Sequence, residues 1–270
     1  MDISNTKTEN LNILLKIAYD GSGFHGWQKQ PGFRTVQGVL EERLERICGA
    51  PVSLEGTSRT DAGVHALGQY ATMRGIFSIP VNRIKTAMNN LLSDVMILNA
   101  EEKPGDFHAR FSAAGKTYIY RFAVAPPVPI FMRNYTWVLK ERPNTSMMSE
   151  AAKYMEGAHD FACFQAAGGT QRETTVRTIF KTKVIESKGE DLAGNAYEAI
   201  GFEVTGDGFL YNMVRIIAGT LAEVGYGRLA PKDIESIIMS GDRRKAGPTA
   251  PPQGLYLKEV FFDKAAFDIQ

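Results

Sequence analysis

The chain has 270 residues, 44% hydrophobic and 23% charged, with 31 basic against 30 acidic side chains and a formal net charge of +1. That length allows one large domain or two small ones with real cores, and that composition is one of a globular chain rather than a disordered or fibrous one. No apolar run approaches the roughly 18 residues of a membrane span. The opening MDISNTKTEN is polar and lacks a signal peptide's apolar core. Cys48 and Cys163 lie far apart without C-x-x-C spacing. Both features predict a cytoplasmic protein with two buried, reduced thiols.

Taken in chain order, NILLKIAYD reads as a strand that runs into the glycine-rich loop GSGFHGWQKQPGFRT. A helix follows, with Val36, Val39, Leu40, Leu44 and Ile47 as its apolar stripe and Gly49 near its end. PVSLEGTS and GQYATMRG read as strands on either side of RTDAGVHAL. PVNRIKTAMNNLL reads as a short helix entered at Pro80, and VMILNAEE as another strand. The second half repeats the theme more loosely: strand KTYIYRFAVAP, helix SMMSEAAKYMEGAHDF, and a hairpin from TVRTIFKTKVIES to AYEAIGFEVTGDGF. Helix LYNMVRIIAGTLAEVG, the short helix PKDIESIIMSG and strand GLYLKEVFF close the chain. Two rounds of strands with interspersed helices predict an α+β protein of two related halves. The proline-rich APPVPIF reads as a strand-end loop.

Basic residues cluster unevenly. KPGDFHARFSAAGKTYIYR carries four Lys or Arg against one Asp, with Phe107, Phe111, Tyr118 and Tyr120 interleaved. QRETTVRTIFKTK has four against one, and Arg243 to Lys245 form a third cluster, while ESKGED is acidic. Each alone is also what a solvated strand face looks like. Three with aromatic company favour an RNA surface, where stacking and phosphate contacts act together.

The stretch GTSRTDAGVHA sets one carboxylate, Asp61, beside Arg59 and a lone histidine. The four histidines show no i, i+4 pairing for a metal, and the only acidic neighbour, Glu55, makes a poor glycosidase partner. No G-x-S-x-G or Walker loop occurs. Asp61-Ala-Gly also suits a turn in which the side chain bonds local amides. The residues alone leave both readings open.

SRTDAGVHA resembles the central motif of the TruA family of tRNA pseudouridine synthases. YDGSGFHGWQKQPGFRTVQGVLEERL resembles that family's N-terminal strand, loop and helix. DFHARFSAAGKTYIYRF resembles its second motif, GDGFLYNMVRIIAGTL its third, and GPTAPPQGLYL its C-terminal signature. These cover most of Leu11 to Val260 in the family's order. Ser58 departs from the glycine that many members place before the arginine.

The resemblance implies the pseudouridine synthase fold: an α+β protein of two halves, with a largely antiparallel mixed sheet and a central active-site cleft. The N-terminal half (10–106) would carry the catalytic aspartate, and the C-terminal half (107–265) the base-stacking tyrosine and an ion-pair arginine. The implied reaction converts uridines 38, 39 or 40 of the tRNA anticodon stem-loop to pseudouridine. Asp61 would be nucleophile or base and Arg215 its ion-pair partner. Arg59 would fill the space of a flipped nucleotide or hold its phosphate. Tyr118 would stack on the target base, and Leu255 would touch it. The resemblance further implies no metal, no organic cofactor, tRNA as partner, a homodimer and no membrane. His65 is expected behind the site, with His25, Trp27 and Gln28 lining the RNA path. Two other readings use the same residues. A tRNA-binding chaperone would have no need of Asp61 in a polyanion's path, and a nucleoside glycosidase would not need the long basic-aromatic stretch.

Overall fold

The structure is a computed structural model and describes residues 11–77, 79–124, 130–169, 173–190, 194 and 196–267. The polar N-terminal decapeptide, the prolines of APPVPIF, Gln171 and Arg172 of the second basic stretch and Asp191 of the acidic one lie outside the described residues. The architecture is α+β and mixed, with five α-helices among the described residues and, within each unit, strands that pair antiparallel except for β5 with β6. The chain divides into two compact units, the first ending at Ala113 and the second beginning at Ala114.

In the first unit, β1 (Leu11–Tyr19) leads through a glycine-rich loop to α1 (Val36–Cys48). There follow β2 (Leu54–Gly56), β3 (His65–Gly75), α2 (Val81–Asn89) and β4 (Val95–Glu102). β1 lies between β3 and β4, antiparallel to both. α1 starts at Thr35, whose hydroxyl caps the Gly38 amide at 3.3 Å, and stops at left-handed Gly49. Its buried face is Val36, Gln37, Leu40, Glu41, Leu44 and Cys48, while Val39 and Ile47 are half-exposed. The buried stripe is therefore rotated from the apolar one, because two polar side chains grip β2. Glu41 Oε1 accepts the Leu54 amide at 3.0 Å, and Gln37 Nε2 donates to the Leu54 carbonyl at 3.0 Å.

β2 is shorter than PVSLEGTS suggested. Thr57 N still donates to Tyr70 O of β3 at 2.8 Å, and beyond it the side-chain amide of Gln69 takes over the role of a strand partner. Its Oε1 accepts from Ser58 N at 3.2 Å and its Nε2 donates to Ser58 O at 2.7 Å. That change of partner opens the Asp61 loop.

The second unit contains β5 (Gly115–Val124), β6 (Trp137–Leu139), α3 (Thr145–Lys153), β7 (Gly157–Asp160) and β8 (Val176–Glu190). β9 (Ala196–Gly206), α4 (Met213–Gly225), α5 (Asp233–Ser240) and β10 (Leu255–Phe261) complete it. The strand order is β10-β5-β9-β8-β7, antiparallel throughout, with β6 parallel to β5. The helix read over SMMSEAAKYMEGAHDF ends at Lys153, and Gly157–Asp160 joins the sheet instead. Glu156 makes that switch. Its Oε1 accepts from Thr182 N at 2.7 Å and from Thr182 Oγ1 at 2.8 Å, which pulls the chain onto β8. α4 is buried over most of its circumference, from Met213 to Gly225, so it is a core helix rather than a surface one.

Candidate active site

Asp61 is half-buried and Arg59 exposed on the loop between β2 and β3. The backbone of this loop is tied on several sides. The Trp27 amide donates to Thr60 O at 3.0 Å, Gly63 N to Phe24 O at 3.2 Å, and Val64 N to Asp61 O at 3.1 Å. Tyr19 OH and Thr60 Oγ1 share a bond of 2.7 Å. Gly26 has a φ of +84°, and a Cβ there would lie 2.5 Å from Thr60 O, so only glycine permits this approach. The motif GSGFHGWQ is thus a cradle built around the RTDAG backbone. Ser58 Oγ is buried and has no hydrogen-bond partner among the described residues.

His65 is 2% exposed, and its Nδ1 accepts the Gly21 amide at 3.0 Å. Asp20 Oδ1 lies 3.2 Å from the same nitrogen. His65 therefore supports the loop from behind. Trp27 is 1% exposed and walls the loop from inside, so it does not line an RNA path. His25 is exposed with its ring 4.6 Å from that of Phe33, and half-buried Gln28 donates to Gln37 at 2.7 Å.

Tyr118, Arg215 and Leu255 belong to the second unit. Tyr118 sits on β5 opposite Leu257 of β10 and Val204 of β9. It is buried, and its ring meets Phe209 edge-on at 5.2 Å. Leu255 is buried at the start of β10, opposite Tyr120. Arg215, in the first turn of α4, is half-buried. Its Nε donates to Ala250 O at 2.8 Å and its Nη1 to Asn212 Oδ1 at 2.7 Å. Two bonds on different edges fix the guanidinium plane. Asn212, just before α4, holds a left-handed φ of 58°, the only positive φ at a non-glycine among the described residues.

Tyr120, one of the aromatics interleaved in the first basic stretch, is fully buried and so is no part of an RNA surface. Its hydroxyl donates to Pro251 O at 2.7 Å. Burial raises its pKa far above that of a free phenol, an effect partly offset by the nearby Arg215 charge. Tyr120 and Arg215 thus hold the segment Ala250–Pro251 that delivers Leu255. No group of three or more His, Cys, Asp or Glu side chains able to hold a metal ion occurs among the described residues.

A family model described as tRNA pseudouridine synthase matches residues 16–112 and 151–263. The chain belongs to the tRNA pseudouridine synthase family. It is accordingly an isomerase that acts on tRNA. It is 44% identical over 255 residues to tRNA pseudouridine synthase A 2 of Clostridium tetani (strain Massachusetts / E88), covering 93% of this chain and 99% of that protein. It is 46% identical over 251 residues to tRNA pseudouridine synthase A of Ruminiclostridium cellulolyticum, with the same coverage of both chains. The protein of that name from Caldicellulosiruptor bescii is 43% identical over 257 residues, again with 93% and 99% coverage. Arg59, Asp61, Arg215 and Leu255 fall within the matched segments, and Tyr118 falls between them. No helix among the described residues is long and apolar enough to cross a membrane.

Proposed function

We propose that this chain converts uridines 38, 39 or 40 of the tRNA anticodon stem-loop to pseudouridine, with Asp61 as its catalytic carboxylate. The reaction breaks the C1′–N1 bond, turns the uracil and forms a C1′–C5 bond. C5 gives up a proton and N1 gains one, so substrate and product are isomers. No oxidant, water or leaving group enters the balance, and neither metal nor organic cofactor is needed. Asp61 serves as nucleophile at C1′, as the group that adds to C6, or as a base on the ribose.

The observation that carries this reading is the way the Asp61 loop is held. Bonds to the Thr60, Asp61 and Gly63 backbone, and an approach to Thr60 O that only a glycine at position 26 tolerates, hold the loop that carries this carboxylate. A turn residue with no chemical task would not require such a cradle, and pre-positioning is worth several powers of ten in rate. Arg215 is the cation proposed to pair with Asp61 and keep it ionised. Its fixed guanidinium plane suits a two-bond grip on a carboxylate. Tyr118 stacks on the turned-out base, Leu255 closes the apolar side, and exposed Arg59 takes the place of the flipped nucleotide or binds its phosphate. The enzyme works as a homodimer in the cytoplasm, where its tRNA substrate is found. Primer extension after carbodiimide treatment tests the reading: tRNA from cells lacking the protein should lose stops at these uridines, and complementation should restore them. Unchanged stops in the deleted strain would refute it.

A further inference from the structure

Phe111 is a large hydrophobic side chain left 75% exposed, in a segment where every backbone turn is anchored. Asn12 Nδ2 donates to Pro104 O at 2.7 Å and Phe107 O at 2.8 Å, and Arg74 Nη2 donates to Phe107 O at 3.0 Å. Ser112 N donates to His108 O at 2.8 Å. The exposure of Phe111 is therefore not the fraying of a loose loop.

Its immediate neighbours are specific. His108 is clamped through both ring nitrogens: Nδ1 accepts the Arg110 amide at 3.1 Å, and Nε2 lies 2.8 Å from Glu55 Oε2. The two bonds set the tautomer and the ring plane. That ring lies 4.4 Å from the ring of Phe111, tilted by 45°. The Arg110 guanidinium lies 5.5 Å from the Phe111 centroid. Between them, Ala109 is fully buried, and its carbonyl accepts from Thr57 Oγ1 at 3.3 Å. Thr57 begins the loop that carries Arg59 and Asp61, so this aromatic and the proposed catalytic loop are parts of one supported piece.

A fixed, exposed aromatic ring flanked by a guanidinium is the arrangement that unpaired bases stack on, with a cation at hand for the adjoining phosphate. A duplex offers no free base face and would gain nothing from it. We propose that Phe111, backed by His108 and flanked by Arg110, is a stacking platform for one unpaired base of the RNA substrate, additional to the base that reacts. This rests on the reading of the chain as an enzyme of the anticodon stem-loop.

The test uses the full-length protein and a stem-loop RNA hairpin. Phe111→Leu should raise KM for the hairpin about tenfold, with the loss in KM rather than kcat, while Phe111→Tyr stays near the parent. Phe111→Trp supplies an exposed indole whose emission should be quenched by the hairpin and not by a fully paired duplex of equal length. Absence of either signal, the KM rise or the loop-specific quench, overturns the proposal. So does a change in oligomeric state of Phe111→Leu with KM unmoved, which gives the ring to a second copy of the chain. The quench reads binding without turnover. Quenching with no pseudouridine formed would therefore defeat the enzymatic reading and leave the platform standing.

Discussion

Arg215 and Ala250 are bonded in both directions: Arg215 Nε donates to Ala250 O at 2.8 Å, and Ala250 N donates to Arg215 O at 3.1 Å. The reciprocal pair locks α4 to the segment entering β10. The contact is close all along, since a Cβ at Gly219 would meet Pro248 O at 1.8 Å. One arginine thus both aligns the Leu255 strand and holds its own guanidinium still. Arg215→Lys keeps the charge but loses the planar fork, so kcat should fall while the acid limb of the rate profile stays in place. Arg215→Met removes the charge. An Asp61 that had relied on it would be harder to ionise, so its pKa would rise and the acid limb would shift to higher pH. A methionine variant with the parental rate and an unmoved acid limb would show that Arg215 does not serve Asp61.

Asp61→Asn should abolish pseudouridine formation while leaving tRNA affinity within a few fold. The amide is nearly isosteric and retains the loop's backbone bonds, but it is neither nucleophile nor base. Affinity could rise slightly, because one negative charge leaves a polyanion's path. Turnover within tenfold of the parent would reduce Asp61 to a turn residue.

The cradle makes a separate prediction at Gly26. Alanine there must adopt a left-handed backbone and set its Cβ against Thr60 O, so the loop has to move. A displacement of an ångström at the reacting group costs on the order of tenfold to a hundredfold in rate. Gly26→Ala should lose that much kcat with little change in hairpin affinity, measured by filter binding. Equal losses in both quantities would mean the loop contributes to binding rather than to placement of Asp61.

Sequence pattern carried most of the elements because apolar spacing dictates them: β1, β3, β4, β5, the β8–β9 hairpin and the helix at 213–225 are where periodicity puts them. It failed where polar side chains do the folding. Gln37 and Glu41 sit on the buried face of α1 because they bond the Leu54 backbone, a distant partner that periodicity cannot reveal. Glu156 ends a helix in the same way, by bonding Thr182. β6 is three residues long and too short to show a period. At the site, Asp61 stood out by its motif. Tyr120 did not, because a strand tyrosine in the core looks the same whether or not its hydroxyl holds Pro251. Trp27 misled, since an aromatic in a glycine-rich loop resembles an RNA contact until its burial is known.

Cys48 and Cys163 are both buried free thiols, and burial pushes their pKa values up to about 11 and about 12. Both are neutral thiols near pH 7, and the thiolate is the reactive form. Ellman's reagent should therefore release little colour from the folded protein at pH 8 and two equivalents after guanidinium unfolding. Rapid reaction of one equivalent in the native state would place that thiol on a mobile or opened surface.

The basic cluster at Arg243 to Lys245 divides into three different roles. Arg243 clamps its own loop, with Nη1 donating to Gly247 O at 2.9 Å and Nη2 to Thr249 Oγ1 at 3.1 Å. Arg244 grips Asp242, with Nη2 to Oδ2 at 2.7 Å, and its hydrogen bonds hold that carboxyl down at about 2. Lys245 is exposed and is the cleanest phosphate probe of the three. Each phosphate contact contributes roughly one to the slope of log affinity against log salt. Lys245→Ala should therefore flatten the slope by about that much while Tm stays put. Arg243→Ala should lower Tm and kcat, because the segment it clamps runs on to Ala250 and Leu255. Should Lys245→Ala keep the parental slope while the protein remains folded, the cluster lies outside the tRNA footprint, and Arg243 is left with the loop as its whole task.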